Sequence, residues 1–349
     1  MNQPLPTSPA PASALPRRRL GRTGLDVSVL GFGTAPLGDL FAHLDDATAI
    51  AAAERAFALG VNLLDSSPLY GHGLAEHRSG TALRRVPRDQ IVVCTKVGRW
   101  IDPFHDRGSG SNFVGGAPHR AVVDYSYDGT MRAVEQSLLR LGTDRIELLL
   151  IHDVDVWTHG ADAIEDRFRE AMEGAYVALD KLRSERVVKG IGIGVNEADM
   201  CVRFARAGTF DTMLLAGRYS LLEQPALAEF LPLAQAQGIG VMLGGVFNSG
   251  ILATGAVAGA KYNYKDAPSD VMQKVAQIER VCRAHGVALA TAALHFALGH
   301  PVVASLVLGA QAPQEVERNV AALSSPVPSA LWRDLKAERL LDADAPVPA

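Results

Sequence analysis

Cysteine is scarce in this chain of 349 residues: Cys94, Cys201 and Cys282 lie far apart and form no CxxC pair. That spacing excludes a disulfide scaffold and a thiolate metal site, and leaves buried thiols in a reducing compartment. A surplus of one charge is also lacking. The balance of 34 basic and 38 acidic residues gives a net charge of −4, so no nucleic-acid footprint is present. No apolar run approaches the length of a membrane span. The opening stretch "MNQPLPTSPAPASALPRRR" has no charged start before an apolar core, so it reads as a poor secretory signal. Together these absences predict a cytoplasmic protein. The third glycine of a GxGxxG loop is missing too. Only "GFGTAPLG" stands where an open, doubly wound sheet would carry its nucleotide loop.

What is present is a composition of 48% apolar and 21% charged residues, ordinary for a globular protein. Residues 1–17 read as a flexible tail rich in Pro and Ala, and 18–340 as a single barrel domain. "RRLGRTGLDVSVLGFG" reads as a small N-terminal β-hairpin. Strand-like runs then alternate with helical periods: Val29–Phe32, Val61–Leu64, Ile91–Thr95, Ile146–Ile151, Gly190–Val195, Thr212–Leu215, Gly240–Leu243 and Ala304–Leu308. These runs are mostly continuous in Val, Ile and Leu, as in strands covered on both faces. Helical segments between them end on Gly60, Gly142, Gly208 and Gly238. The pattern predicts a closed (β/α)8 TIM barrel, an α/β fold. Long insertions at 98–124 and 248–270 follow the third and seventh strands and read as loops without regular structure. Barrel enzymes keep their chemistry at that end.

Polar residues collect at the strand ends. Asp65 and Tyr70 follow the second strand, Lys96 ends the third and His152 the fourth. Each alone has a structural explanation: a turn cap, a salt bridge, a rim aromatic, a satisfied histidine. Together they form a proton-transfer device. An ammonium beside a phenol favours the phenolate and lowers its pKa, a carboxylate holds the ammonium, and an imidazole orients a substrate oxygen. No nucleophile is present, so a nicotinamide cofactor would carry the hydride.

The run Asp65-Ser66-Ser67-Pro68-Leu69-Tyr70-Gly71, with "TKVG" and "LLIHD", resembles motifs of the aldo-keto reductases. The resemblance extends from about Arg19 to the helix after "VLGA". It implies a catalytic tetrad of Asp65, Tyr70, Lys96 and His152, with Tyr70 as general acid or base. "SPLYGHGLAEHRSGTALR", "LLAGRYSLLEQ" and "FNSGILATG" are similar to the branch of D-threo-aldose 1-dehydrogenases, L-fucose and L-galactose dehydrogenases and a pyridoxal 4-dehydrogenase. This implies oxidation of a hemiacetal hydroxyl to a lactone, with Tyr70 as base. The resemblance also implies dinucleotide contacts from Gly33, Thr34, Asp65, Asn196, Phe247, Ser249, Gly250, Gly309, Gln311, Glu315, Arg318 and Asn319. Many relatives carry Gln on the sixth strand and a stacking Tyr on the seventh. Here Ala216 and Gly244 stand at those points, and Phe247 is expected to take over the packing.

Glu315 would repel a 2′-phosphate and accept a bond from a ribose hydroxyl, which favours NAD. Arg318, one helical turn away, keeps NADP as the alternative. Tyr70, Trp100, His152, Asp153 and Trp157 are expected around the substrate, with His105 and Asp155 as further loop candidates. The expected partner is a sugar or pyridoxal-like small molecule, with no nucleic acid or membrane, and the protein a monomer or homodimer. Two rivals remain. A metal-dependent hydrolase would use Asp65, His152, Asp153 and Asp155 as ligands, but "IHDVD" has one histidine and leaves Lys96 and Tyr70 without a role. A non-catalytic subunit of a channel would not need the tetrad.

Overall fold

The computed structural model describes residues 15–109 and 111–348. Most of the expected tail, residues 1–14, lies outside them. Eight parallel strands close into a barrel: β1 (Leu30–Gly33), β2 (Leu63–Asp65), β3 (Val92–Val97), β4 (Leu148–His152), β5 (Gly190–Val195), β6 (Thr212–Ala216), β7 (Gly240–Gly244) and β8 (Val303–Gly309). They pair in chain order, and β8 closes on β1 through Leu306↔Leu30 to Gly309↔Gly33. The eight runs expected from sequence are these eight strands.

The helices outside the barrel have readable ends. Asp45 caps the helix Asp46–Ala58 by accepting from the Thr48 N–H at 2.9 Å. Ser126 caps Tyr127–Leu141 in the same way, and that helix stops at Gly142 in the left-handed region, as does Phe230–Gln237 at Gly238. Gly208 ends Ala198–Ala207 differently, in extended backbone.

The barrel interior is filled by Leu63, Val92, Cys94, Leu148, Leu150, Leu214, Met242, Ala304 and Val307. Leu20 and Val27, from the N-terminal hairpin Arg17–Arg19 with Asp26–Ser28, join this cluster and plug its lower end. The two-residue period of a strand does the rest. Asp65 comes two residues after Leu63, Lys96 two after Cys94, and His152 two after Leu150. All three therefore emerge on the inner face at the upper, C-terminal rim. Glycines on β5 leave room for Leu150 and for Lys96. A Cβ on Gly192 would meet Leu150 Cδ2 at 2.8 Å, and one on Gly194 would meet Lys96 Cε at 3.3 Å.

The two insertions are more ordered than their composition suggests. Residues 98–124 form a bulged antiparallel hairpin, Arg99–Asp106 with His119–Val123, tied to the first loop by a Leu40↔Phe113 bridge. Residues 248–270 hold a short helix, Ile251–Thr254, and a two-residue ladder, Lys261–Tyr262 with Lys265–Asp266. Backbone pairing across a long Gly-rich stretch leaves little local signal, which is why both read as loops. Among the described residues no single helix is long and apolar enough to cross a membrane.

The turn that carries Tyr70 is wound the wrong way for most residues, with φ of 61° at Gly71, 54° at His72 and 97° at Gly73. A Cβ on Gly71 would lie 2.6 Å from both Cα and O of Gly38. Gly71→Ala is therefore expected to cost about 1–3 kcal/mol. Thermal unfolding measures this, and an unchanged midpoint would refute the tight approach.

Candidate active site

The Lys96 ammonium is 1% exposed at the rim of β3. Its Nζ donates to Asp65 Oδ1 and Oδ2 at 2.9 and 2.8 Å and to the Ser66 carbonyl at 2.8 Å. Three acceptors thus match its three protons. Burial alone would lower its pKa, but Asp65 first, and then Tyr70 and Cys94, outweigh burial and raise it. Lys96 is a fixed cation. It sits 4.8 Å from the centroid of the Tyr70 ring.

Tyr70 corrects one expectation. Its pKa is raised, not lowered. Burial is the largest cause. Lys96 pulls the other way, but Asp65 and Asp153 add to burial. The carboxylate that holds the ammonium also cancels part of its field at the phenol. In this state Tyr70 is a neutral phenol at pH 7, packed between Phe113 and the edge of His152.

His152 is a neutral imidazole. Burial, then Lys96 and Arg99, drive its pKa well below the usual histidine value. Nδ1 meets Ser67 Oγ at 3.1 Å, and Nε2 lies 3.3 Å from Asp153 Oδ1. The Tyr125 hydroxyl donates to the His152 carbonyl at 2.8 Å.

Two hollows share Tyr70, Leu214, Ala216 and Tyr264 in their walls. One is a groove of about 780 Å³ running from Tyr70 past Gly244 and Phe247 to Gln311 and Glu315. The other is a chamber of about 210 Å³ lined by Lys96, His152, Asp153, Trp157 and Asn196, among others. The long groove and the small chamber thus meet at Tyr70, with the buried Lys96–Asp65 pair behind it.

Residues 29–338 match the model of the Aldo/keto reductase family. The chain belongs to this family. It is 40% identical over 338 residues to the pyridoxal 4-dehydrogenase of Microbacterium luteolum, covering 93% of this chain and 98% of that one. It is 36% identical over 341 residues to the D-threo-aldose 1-dehydrogenase of a Pseudomonas species, covering 96% and 98%. Among solved structures, an aldo-keto reductase from Bacillus halodurans in its holo form superposes with a TM-score of 0.73 at 27% identity, covering 95% and 98%. This chain is therefore an oxidoreductase of a family that uses NAD(P)H, and it acts on a small molecule.

Within this aldo-keto reductase the structure distributes the expected residues unevenly. Gly33, Asp65, Phe247, Ser249, Gly250, Gly309, Gln311 and Glu315 line the groove, and Asn196 the chamber. Thr34 is buried beneath, donating to Ser66 Oγ at 2.8 Å, and Asn319 faces a separate pocket beside Leu30 and Val316. Arg318 points outward, 70% exposed and 3.9 Å from Glu315, whose Oε2 accepts the Gln311 N–H at 2.8 Å.

Asp153 and Trp157 line the chamber, but Trp100 does not. Its ring lies under Arg132 at 3.7 Å and its Nε1 donates to Asp124 at 3.1 Å. His105 is on the hairpin, paired with Asp102 at 2.6 Å. Asp155 is taken up by the Thr158 N–H at 2.9 Å and by the backbone and side-chain amides of Asn196 at 2.9 and 3.1 Å. With Asp65 held by Lys96, the ligand set of a hydrolase is not assembled. Among the described residues no three His, Cys, Asp or Glu side chains converge as a metal site.

Sequence reasoning passes over Ser67, Arg99 and Tyr264. Ser67 stands two residues after Asp65 in the same motif, and Tyr264 is one of two tyrosines in the "KYNYKD" of the second insertion. Arg99 carries no local signal, because it acts only through the fold, 3.0 Å from Asp153.

The buried neutral His152 makes stability depend on pH. Its folded pKa lies below the unfolded value of ~6.5, so its contribution is complete above that pH and is lost as pH falls. From pH 7.5 to 5 the wild type should lose stability faster than His152→Gln, by up to about 1.4 kcal/mol per pH unit. Thermal melts across that range test this, and parallel curves would contradict a neutral His152.

Proposed function

We propose that this protein oxidises the C1 hemiacetal hydroxyl of an aldose, of the L-fucose, L-galactose or D-threo-aldose type, to the lactone. Tyr70 is the general base, and NAD the preferred cofactor over NADP. The observation that carries the reading is the Tyr70 side chain in the wall common to groove and chamber, with the Lys96–Asp65 pair behind it and neutral His152 beside it. The aldose 1-dehydrogenase relative supports it.

The groove has the length and the glycine lining a dinucleotide needs. At Gly309 a Cβ would meet Pro36 Cγ at 2.8 Å, so this wall is bare backbone. Gly33, Phe247, Ser249, Gly250, Gly309, Gln311 and Glu315 would hold the cofactor, which when bound accepts the hydride. Glu315 in the groove wall, with Arg318 turned outward, supports NAD. The carbonyl oxygen of Asn196 remains an acceptor beside the chamber, because its amide nitrogen serves Asp155.

The chain's own residues handle the proton. His152 Nε2 orients the substrate oxygen, and Tyr70, once ionised to the phenolate, takes its proton. Lys96 stabilises the phenolate that must form before this transfer, and Asp65 keeps Lys96 in place. Cytoplasmic residence suits three free, buried thiols. A second reading, oxidation of the cyclic hemiacetal of pyridoxal, is favoured by the relative at 40% identity.

A screen of aldoses and pyridoxal with NAD and NADP, read by absorbance of the reduced cofactor, is expected to give the highest kcat/KM with an aldose and NAD. A large NADP preference would overturn the cofactor assignment, and no turnover would overturn the reaction. Tyr70→Phe should lower kcat ~10²–10⁴-fold while cofactor binding, followed by fluorescence, stays nearly intact. Full turnover in that variant would remove Tyr70 from the mechanism. Since the Tyr70 pKa is raised, oxidation should speed up as pH rises through the alkaline range. Lys96→Met removes the one lowering influence of a nearby cation, so its rise should begin at higher pH. A profile that does not move would make Lys96 structural only.

A further inference from the structure

Asp153 sits directly after the catalytic-rim histidine, and its backbone is strained. Its φ is 54°, in the left-handed region that a residue with a side chain seldom occupies. Such strain persists where the surroundings enforce it, and it marks candidate functional positions. Here it delivers a carboxylate to the chamber wall, with its side chain only 14% exposed. Oδ2 faces Arg99 Nη1 at 3.0 Å, across from the hairpin after β3. Oδ1 lies 3.3 Å from Nε2 of His152. Arg99 is itself buried, 7% exposed, and sets a positive charge against the carboxylate.

The chamber thus presents two polar atoms side by side. One is the imidazole nitrogen that orients the reacting oxygen in the proposed oxidation. The other is a carboxylate oxygen, an acceptor for a hydroxyl. Their separation matches two oxygens on adjacent carbons. On this basis, and resting on the proposed function, we infer that Asp153 selects substrates with a hydroxyl on the carbon next to the one oxidised, the C1–C2 pattern of an aldose. In pyridoxal the nearest ring hydroxyl is one carbon further from the reacting centre and does not fit the pair. Arg99 is a positioning residue for this contact.

A site built to bond a hydroxyl rejects the analogue that lacks it far more strongly than an apolar pocket rejects a missing methylene. The test compares kcat/KM for the best aldose and its 2-deoxy analogue in the wild type, Asp153→Ala and Asp153→Asn. The wild type is expected to prefer the 2-hydroxy sugar by roughly 10²-fold or more. Asp153→Ala should shrink that ratio at least tenfold. Asp153→Asn, nearly isosteric and keeping one acceptor oxygen, should fall between and guards against a folding defect. Comparing this ratio between wild type and variant cancels the intrinsic reactivity difference of the two sugars. An equal ratio in wild type and Asp153→Ala overturns the inference while the sugar-oxidising reading stands. A wild type that oxidises pyridoxal but no aldose overturns the inference and the first reading, leaving the second. No turnover of either removes all three.

Discussion

A charge pair sealed inside the barrel organises this protein. Lys96 and Asp65 are both nearly unexposed, and either one left alone there would carry a heavy desolvation penalty. Their bidentate contact, completed by the Ser66 carbonyl, makes the arrangement tolerable and fixes it in one geometry. It ties the ends of β2 and β3 together beneath the turn that holds Tyr70. The same pair sets the field at the phenol. Because the cation arrives with its counter-ion, its pull on Tyr70 is partial, and burial decides the direction. A pair that were less well matched would make a stronger proton relay and a weaker fold.

Much of this is legible in the residues. The eight strands are visible because each is a short Val, Ile or Leu run followed by a helical period. The rim residues are visible because Asp65, Lys96 and His152 each break such a run at its C-terminal end. What sequence conceals has physical causes. Trp100 follows Lys96 closely, but the hairpin pairing that begins at Arg99 turns its ring toward Arg132 instead of the chamber. Tyr264 reaches both hollows from an insertion whose path depends on left-handed turns at Asn248, Ser249 and Asn263. The balance at Tyr70 is a sum over charges distant in the chain, and no local pattern encodes a sum.

The likeness to a pyridoxal 4-dehydrogenase and an aldose 1-dehydrogenase shows one frame associated with two ring-shaped substrates. The frame explains why that is compatible with a single chemistry. In the proposed reaction, proton transfer is built from the strand ends and the turn after β2. Chamber walls such as Trp157, on the short helix Val156–His159, and Tyr264, in the second insertion, come from segments outside the barrel strands.

The glycines lining β5 set the limit of that freedom. With the Thr212 carbonyl and Leu150 crowding position 192 and Lys96 facing position 194, the centre of the barrel has no slack. Room for change lies at the upper rim, where Trp157 and Tyr264 line the chamber. An engineer seeking a new substrate should vary the rim and leave the staves untouched.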